Sequence, residues 1–199
     1  MEPPLPQPPK TTTGTTPEYR HRLADISSRA CLSDPLNMLF QRDATGSSAP
    51  ILVSNLYAST LARINTKLSH GSFIVEADDF AAVACWEPPT AVQDNHSAAE
   101  LGELQFIQEI EDAKKACLGE RKCWLLSLMA RDPGMISKGA VRAVIEPFVE
   151  RARTHGVPVW LVAGNERARD VYAYFGFVVV KVVYSGEERI PTWCMVFNL

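Results

Sequence analysis

Apolar residues follow two kinds of spacing between Cys123 and Phe177. Two short apolar runs, Trp124 to Ala130 and Val157 to Val162, are each followed by a stretch in which apolar residues recur at helical intervals. A short apolar run predicts a buried strand and the helical interval predicts an amphipathic helix, so the predicted order is strand, helix, strand, helix. We expect any ligand site to lie where the first strand meets the first helix.

The preceding part of the chain has patterns of its own. Leucines and Ile64 recur at helical spacing from Leu52 to Leu68, and two apolar runs around Ala77 to Asp79 predict an antiparallel hairpin. Apolar residues along one face predict a long surface helix over Ala98 to Gly119. Two further strands are predicted after Phe177.

The amino-terminal segment carries weaker signals. Residues 1–16 are rich in Pro and Thr, so we expect a flexible tail, or a strap whose folding depends on something else, ahead of a single domain over residues 17–199. After Glu18 the pattern predicts a short edge strand, and Asp25 is predicted to cap a helix. Pro35 is predicted to open a second short helix through Leu39.

Composition narrows the class of protein. The chain has 199 residues, 46% of them hydrophobic, and a net charge of −3, which gives no reason to expect nonspecific binding to nucleic acid or anionic membranes. It has no apolar run long enough to span a bilayer and no secretory signal pattern, so we expect a cytoplasmic protein. Five scattered cysteines without a CxxC pair, and histidines without ligand spacing, favour reduced thiols and no metal site.

The turn from Gly134 to Gly139 opens the first predicted helix of the central region. A helix start presents unpaired backbone N–H groups and a partial positive charge, Gly139 lets a phosphate come close, and Lys138 adds charge. The turn is therefore a candidate pyrophosphate site, although a glycine at a helix start is more often simple turn geometry.

The second half of the region carries a more specific pattern. Asn165 is followed by Tyr172 seven residues later, and Gly176 and Phe177 begin four residues beyond that. With these residues the chain resembles the GNAT superfamily of acyl-CoA N-acyltransferases. The upstream turn, residues 136–141, is similar to the acyl-CoA loop of that family, which is usually Gln/Arg-x-x-Gly-x-Gly/Ala.

The loop departs from the family pattern at three positions. Ile136 stands where Gln or Arg is usual, Val141 stands where Gly or Ala is usual, and Arg131 stands where Val is often found. Backbone N–H groups bind phosphate whatever the side chain, so the loop is still predicted to hold the cofactor.

The resemblance implies a fold and a cofactor. The fold is α/β, or α+β in some schemes, with a mixed, mostly antiparallel sheet of six to seven strands, a central parallel pair splayed into a V, and helices on both faces. Acetyl-CoA is the implied co-substrate, bound between the two central strands, and no metal is implied. The implied cofactor-binding residues are Met129, Ala130, Arg131, Ile136, Ser137, Lys138, Gly139, Ala140, Val141, Asn165 and Tyr172.

The resemblance also implies chemical roles. An amide near Met129 or Ala130 would polarise the acyl carbonyl, and Asn165 would contact the pantetheine arm. Tyr172 would protonate the departing thiolate, a role that suits a phenol beside a sulfur on which charge develops. The alternative for Tyr172 is a half-buried helix tyrosine that packs beneath the sheet.

A general base must take the proton of the acceptor amine. Glu76, Asp79 and Glu87 lie on or beside the predicted hairpin strands, which border the acceptor site in the resembled family, and Glu87 is our choice. A carboxylate at such a place is more often a solvated strand end or turn. The candidates for an aromatic wall of the acceptor pocket, each equally explained by core or rim packing, are Tyr57, Trp86 and Trp193.

Two functions remain open on the sequence. The first is an N-acetyltransferase that moves an acetyl group from acetyl-CoA to a primary amine of a small molecule by direct attack in a ternary complex. The second is a GNAT-fold protein without acetyl transfer, which binds a ligand or partner or has diverged to another reaction. We expect a monomer or homodimer with no nucleic-acid or membrane partner.

Overall fold

The computed structural model describes residues 8–45, 50–92 and 101–199 of the chain. The strands within these ranges are β1 (Thr11–Gly14), β2 (Phe73–Ala77), β3 (Ala82–Glu87), β4 (Trp124–Arg131), β5 (Val159–Ala163), β6 (Val178–Ser185) and β7 (Ile190–Phe197). The helices within them are α1 (Pro17–Ala30), α2 (Pro35–Thr45), α3 (Val53–Ser69), α4 (Leu101–Leu118), α5 (Ala140–His155) and α6 (Glu166–Tyr174).

The seven strands form one mixed sheet in the order β1-β2-β3-β4-β5-β7-β6. Only the central pair, β4 and β5, is parallel, and α5 makes the crossover between the two strands. Their pairing is short: it runs from Trp124 and Val159 to Leu126 and Leu161, although β4 continues to Arg131. The two strands therefore separate towards their carboxyl ends, and this open V confirms the predicted fold class.

Helices cover both faces of the sheet. On one face α5 and α6 pack over a core in which Val144, Ile145 and Phe148 contact the sheet. On the other face α1 and α3 cover the β2–β3–β4 side, and α4 covers the β5–β7–β6 side. The buried side chains on this second face include Leu23, Ile26, Ile64, Ile74, Val83, Ile110, Trp160, Cys194 and Val196.

The amino-terminal predictions need correction. Residues 11–14 are not part of a flexible tail, because β1 pairs antiparallel with β2 from Thr11–Ala77 to Gly14–Ile74. This edge strand depends on a partner more than sixty residues away, as the strap alternative requires. Residues 1–7 of the predicted tail lie outside the described residues.

The edge strand predicted after Glu18 is also wrong, because Pro17 already stands in the first turn of α1. Thr16 has extended backbone geometry and Pro17 suits a first helical position, so the helix begins eight residues before Asp25. The apolar residues fit this helix, since Leu23 and Ile26 are fully buried. The alternation of Tyr19, His21 and Leu23 is typical of a strand, but the longer helical spacing determines the structure.

The other predicted elements lie close to their predicted bounds, except that α2 continues beyond Leu39 to Thr45. The β2–β3 hairpin, α3 and the order β4, α5, β5, α6 are confirmed. α4 begins at Leu101, and residues 98–100 of its predicted range are outside the described part of the chain. Among the helices described, none combines the length and the apolar character that a membrane crossing requires.

Candidate active site

The site begins at a bulge in β4, where the central strands part. Cys85 of β3 faces Leu128 and Trp86 faces Leu126, so Ser127 is an extra residue on β4. A bulge bends its strand and increases the local twist, and here it coincides with the last β4–β5 pair, Leu126 with Leu161. From Ser127 onwards the β5 side of β4 therefore faces a gap instead of a strand.

The predicted phosphate turn lies at the open end of this gap. Gly139 is the N-cap of α5, and its φ of 88° is a left-handed geometry that favours glycine. The first backbone N–H groups of α5, from Ala140 onwards, lack helical partners and carry the positive end of the helix dipole. Ile136 is 92% exposed, so its apolar side chain is not part of the core.

The other predicted cofactor residues lie around this turn. Arg131 and Lys138 are exposed, and Ser137 donates a hydrogen bond from its hydroxyl to Asp78. Val141 packs against the core instead of over the amides. Met129 also packs against the core beneath α5, and Ala130 is buried on the opposite face.

An ion-pair network anchors the segment that leads into the turn. The Arg29 guanidinium donates to both carboxylate oxygens of Asp132 at 2.9 Å, and it also donates to Asp25 at 2.8 Å. Asp132 accepts a further bond from the Gly134 N–H at 2.7 Å. Asp132 is nearly buried, and the hydrogen bonds from Arg29 lower its pKa to about 2. The network therefore ties the phosphate turn to α1.

Acid should release this anchor. Because the Asp132 pKa is lower in the folded chain than in the unfolded one, we expect its stabilising contribution to be complete above about pH 4 and to be lost as pH falls towards 2. At neutral pH Arg29→Met should lower the free energy of unfolding by about 1.5–3 kcal/mol. Urea titrations across this pH range measure both effects.

A matched control is Arg153→Met, because Arg153 forms an exposed ion pair with Glu150. Its expected cost is below about 1 kcal/mol. An Asp132→Asn protein that loses stability between pH 4 and 2 as steeply as the wild type would contradict the assignment.

Asn165 and Asp34 meet at the end of β5. Asn165 is the N-cap of α6: its Oδ1 accepts from the Ala168 N–H at 2.8 Å, and its Nδ2 donates to Asp34 Oδ1 at 2.9 Å. Burial raises the pKa of Asp34, while the hydrogen bonds from Asn165 and Cys31 oppose that rise. Asp34 was missed in the sequence, where Asp-Pro indicated only the start of a helix.

Tyr172 lies in α6, on the face of the sheet opposite α1. It is 6% exposed and its ring packs edge-on against Phe177 at a centroid distance of 6.0 Å. Burial raises the pKa of Tyr172, and the negative charge of a nearby Cys31 thiolate would raise it further. Cys31 is the C-cap of α1, on the opposite face, and its charge is felt at the Tyr172 phenol.

The Cys31 thiol and the Tyr172 phenol are both protonated at neutral pH. Burial, and the neighbouring carboxylate of Asp34, raise the pKa of the Cys31 thiol to about 11. The phenol of Tyr172 therefore keeps its proton until a strong base appears beside it, as a general acid must.

A groove of about 620 Å³ continues from the α5 turn between α5 and α6. Arg142 and Arg167 place positive charge on its walls, and Arg142 lies over the Tyr174 ring, 5.4 Å from its centroid, and donates to the Tyr174 hydroxyl. The full lining is Val141, Arg142, Glu166, Arg167, Asp170, Val171, Tyr174 and Phe175.

The structure does not bring the hairpin carboxylates into the gap. Glu87, our predicted base, is 1% exposed and accepts hydrogen bonds from Lys67 Nζ, at 2.6 Å, and from Ser127. Glu76 is 4% exposed and accepts from the Phe80 N–H at 2.8 Å, and Asp79 lies in the exposed hairpin turn. All three are explained by local structure.

The predicted aromatic walls of an acceptor pocket lie elsewhere too. Trp86 is fully buried, stacks on Phe148 and donates to the Val144 carbonyl at 3.0 Å. Trp193 is buried on the face that α5 and α6 cover, and Tyr57 pairs with His21 outside the gap. These residues are core or rim packing, the alternative that the sequence left open.

The chain was compared with known proteins by sequence and by structure. No protein-family profile matches the chain. It is 24% identical over 144 residues to an uncharacterised N-acetyltransferase of Schizosaccharomyces pombe; the match covers 62% of the chain and 58% of that relative. A solved Corynebacterium glutamicum protein, named histone acetyltransferase HPA2 and related acetyltransferase, superposes with a TM-score of 0.64, 18% identity and 96% of both chains covered. A GCN5-related N-acetyltransferase of Rhodopseudomonas palustris superposes over the full length of both chains with a TM-score of 0.58 and 13% identity.

The chain has the GNAT fold. Agmatine N-acetyltransferase has the same fold, with a TM-score of 0.62, 12% identity, and 95% of this chain and 99% of that one covered. These structures confirm the fold that the GNAT resemblance of the Asn165 to Phe177 spacing implied. The chain spans about 58% of the length of the Schizosaccharomyces pombe relative.

Proposed function

We propose that the chain is an N-acetyltransferase that moves an acetyl group from acetyl-CoA to a primary amine of a small molecule. The observation that carries this proposal is the parting of β4 and β5 beyond Leu126 and Leu161. Near that opening lie a half-buried carboxylate, Asp34, held by Asn165 at the end of β5, and a buried phenol, Tyr172, on α6; the Cys31 thiol is electrostatically coupled to both. The acetyltransferase names of the structural neighbours support the same reading.

The chain's residues fit acetyl-CoA. The free amides that follow Gly139 and the charges of Lys138 and Arg142 suit a pyrophosphate, and the groove between α5 and α6 suits the rest of a nucleotide. Among the described residues a Cβ built on Gly139 would meet only Pro9, at 3.5 Å. Acetyl-CoA, when bound, supplies the acetyl group as an activated thioester.

Asp34 is the proposed general base. As the amine nitrogen bonds to the acyl carbon and the carbon–sulfur bond breaks, the nitrogen must lose one proton, and Asp34 is the carboxylate placed to take it. Its raised pKa makes it a stronger base than an exposed aspartate, and its negative charge favours the approach of a cationic amine.

Tyr172 is the proposed general acid, and Asn165 positions Asp34. The sulfur that leaves the acyl carbon carries a negative charge, which the Tyr172 proton neutralises. Asn165 fixes the base by its hydrogen bond to Asp34 and is itself fixed as the cap of α6. The predicted pantetheine contact of Asn165 stays a prediction.

The acid role is tested by Tyr172→Phe. The tyrosine hydroxyl has no hydrogen-bond partner among the described residues, so its removal should leave the packing and the acetyl-CoA affinity unchanged. We expect kcat for thiol release to fall about a hundredfold, near the lower end of the rate enhancements that general acids provide. The effect is at that end because a thiol with a pKa near 8.5 is a good leaving group even without protonation. Tyr184→Phe, which removes an exposed hydroxyl on β6, is the matched control. Unchanged turnover in Tyr172→Phe would exclude the acid role.

Ligand binding without transfer is the second candidate function. Pro9 lies against Gly139, and Ile136 and Val141 replace the usual polar and small residues of the loop. Calorimetry with acetyl-CoA separates the two functions: absence of binding at high micromolar protein overturns the transferase, and binding without thiol release from any amine favours the second candidate.

A further inference from the structure

Residues 8–14, the amino-terminal strap, run from the edge of the sheet to the turn before α5. The strap includes β1, which lies at the sheet edge beside β2. Ahead of β1, Pro9 lies against Gly139: a Cβ on Gly139 would be 3.5 Å from Pro9 Cγ. The strap therefore borders the space that the missing side chain of Gly139 leaves at the start of α5.

Asp78 joins the strap to this turn. The Lys10 N–H donates to Asp78 Oδ1 at 3.0 Å, and the Asp78 N–H donates to the Lys10 carbonyl at 2.8 Å. The other carboxylate oxygen of Asp78 accepts from the hydroxyl of Ser137, two residues before Gly139. One carboxylate in the β2–β3 turn thus holds the strap with one oxygen and the turn before α5 with the other.

In this position the strap hinders a phosphate at the start of α5. The free amides there attract an anion. A phosphate that approaches Gly139 where its side chain is missing meets the Pro9 ring, and the negative charge of Asp78, bonded to the turn, repels the phosphate. Departure of the strap removes Pro9 from this space and releases the two Lys10 bonds that fix Asp78 beside Ser137.

The strap is held by few contacts. Its strand has four residues, three threonines and a glycine, which bury little apolar surface. Its side-chain anchor is Thr12, whose hydroxyl donates to Glu76 and contacts the Tyr19 hydroxyl at 2.6 Å. A short edge strand of this kind opens at a fraction of the free energy of global unfolding.

We propose that the amino-terminal strap is autoinhibitory, so that acetyl-CoA binds after the strap has left the turn before α5. The observed Kd is then the intrinsic Kd divided by the fraction of molecules in which the strap is detached. Any change that holds the strap on the sheet weakens binding, and any change that loosens it strengthens binding. This inference rests on the proposed function, because its ligand is acetyl-CoA.

Hydrogen exchange of the wild-type protein is the first test. Saturating acetyl-CoA should slow exchange of the amides at the start of α5, and it should speed exchange of the β1 amides at least about twofold, because the bound state has a detached strap. A strap that completes the cofactor site would exchange more slowly when acetyl-CoA binds. Slower or unchanged exchange of β1 overturns the inference.

A reversible crosslink is the second test. Thr11 and Ala77 are directly opposite in the β1–β2 ladder, where the Cα separation of about 4.5–5.5 Å suits a disulfide. In Thr11→Cys/Ala77→Cys, calorimetry should give a Kd for acetyl-CoA at least about tenfold higher in the oxidised protein than in the same protein after reduction. Thr11→Cys alone, oxidised in the same way, controls for the native cysteines and should bind as the wild type does.

Thr12→Val tests the opposite direction. It removes the bonds to Glu76 and Tyr19 that exist only while the strap is attached, so it should lower the Kd for acetyl-CoA. Thr66→Val, which removes an exposed hydroxyl that donates to the Ala62 carbonyl within α3, is the matched control and should leave the Kd unchanged.

The outcomes separate this inference from the function on which it rests. If the wild type binds acetyl-CoA but the oxidised and reduced crosslinked proteins bind equally, or the oxidised one binds more tightly, the inference alone is overturned. A Kd that rises in Thr12→Val also overturns it, because the strap would then belong to the cofactor site. Absence of acetyl-CoA binding in the wild type and in the reduced protein overturns the proposed function as well.

Discussion

Asp34→Asn should lower kcat/KM for the acceptor amine about a thousandfold while acetyl-CoA binds as it does to the wild type. The amide has the shape of the carboxylate and can still accept the hydrogen bond from Asn165, so α2 and α6 keep their contact. It cannot take a proton, and loss of a general base costs about a hundredfold to ten-thousandfold. Steady-state thiol release and calorimetry with acetyl-CoA measure the two halves of this prediction.

The pH dependence of kcat/KM is a second test of Asp34→Asn. Only the deprotonated carboxylate acts as base, and burial raises the Asp34 pKa, so wild-type kcat/KM should fall as pH drops through a value above that of an exposed aspartate. The residual activity of Asp34→Asn should lack that step. Asp79→Asn, in the exposed β2–β3 turn, is the control and should behave as wild type. Full activity in Asp34→Asn would leave the proposed mechanism without its base.

Lys67→Met should lower the free energy of unfolding by about 3–5 kcal/mol, because it leaves the Glu87 carboxylate buried without its counter-charge. The two side chains are 10% and 1% exposed, and their 2.6 Å contact spans α3 and β3. Ser127, the bulged residue of β4, also donates to Glu87, so this pair supports the point where the central strands part. Urea denaturation at neutral pH measures the loss.

Two further proteins show whether the effect belongs to the pair. Lys115→Met removes an exposed lysine from α4 and should change stability by less than about 0.5 kcal/mol. The double variant Lys67→Met/Glu87→Leu should recover much of the loss, because a hydrophobic pair replaces a buried ion pair at little cost. If the double variant is as unstable as Lys67→Met, packing around Lys67 matters more than the charge on Glu87.

The elements that sequence alone predicted are those with contiguous signals. β4, α5, β5 and α6 each consist of one run with one periodicity, and Asn165, Tyr172 and Gly176 stand at a spacing that a single helix fixes. The sequence therefore predicted the fold and the start of α5 after Gly139, and the phosphate role of that turn stays a prediction. The prediction was wrong near Pro17, where the sequence fits both a short strand alternation and a longer helical spacing. The packing of α1 on the sheet selects the helix.

The chemistry of the site was less accessible, because its partners are distant in the chain. Asp34 and Asn165 are 131 residues apart, and Arg29 and Asp132 are 103 apart, so no local pattern joins either pair. The same reasoning explains why Glu87 was chosen as the base. Its position at a strand end was visible, whereas its burial against Lys67 depends on how α3 crosses the sheet.

The residues just before strand β1 contact the turn that precedes α5, so local unfolding of β1 affects the order of that turn. The strand joins the sheet through four residues at one edge, so it can detach while the other strands stay paired. The backbone N–H of Lys10, just before β1, donates to the Asp78 carboxylate that also holds Ser137, and Pro9 rests on Gly139. Detachment of β1 would therefore remove the Lys10 and Pro9 contacts from this turn while the rest of the domain stays folded.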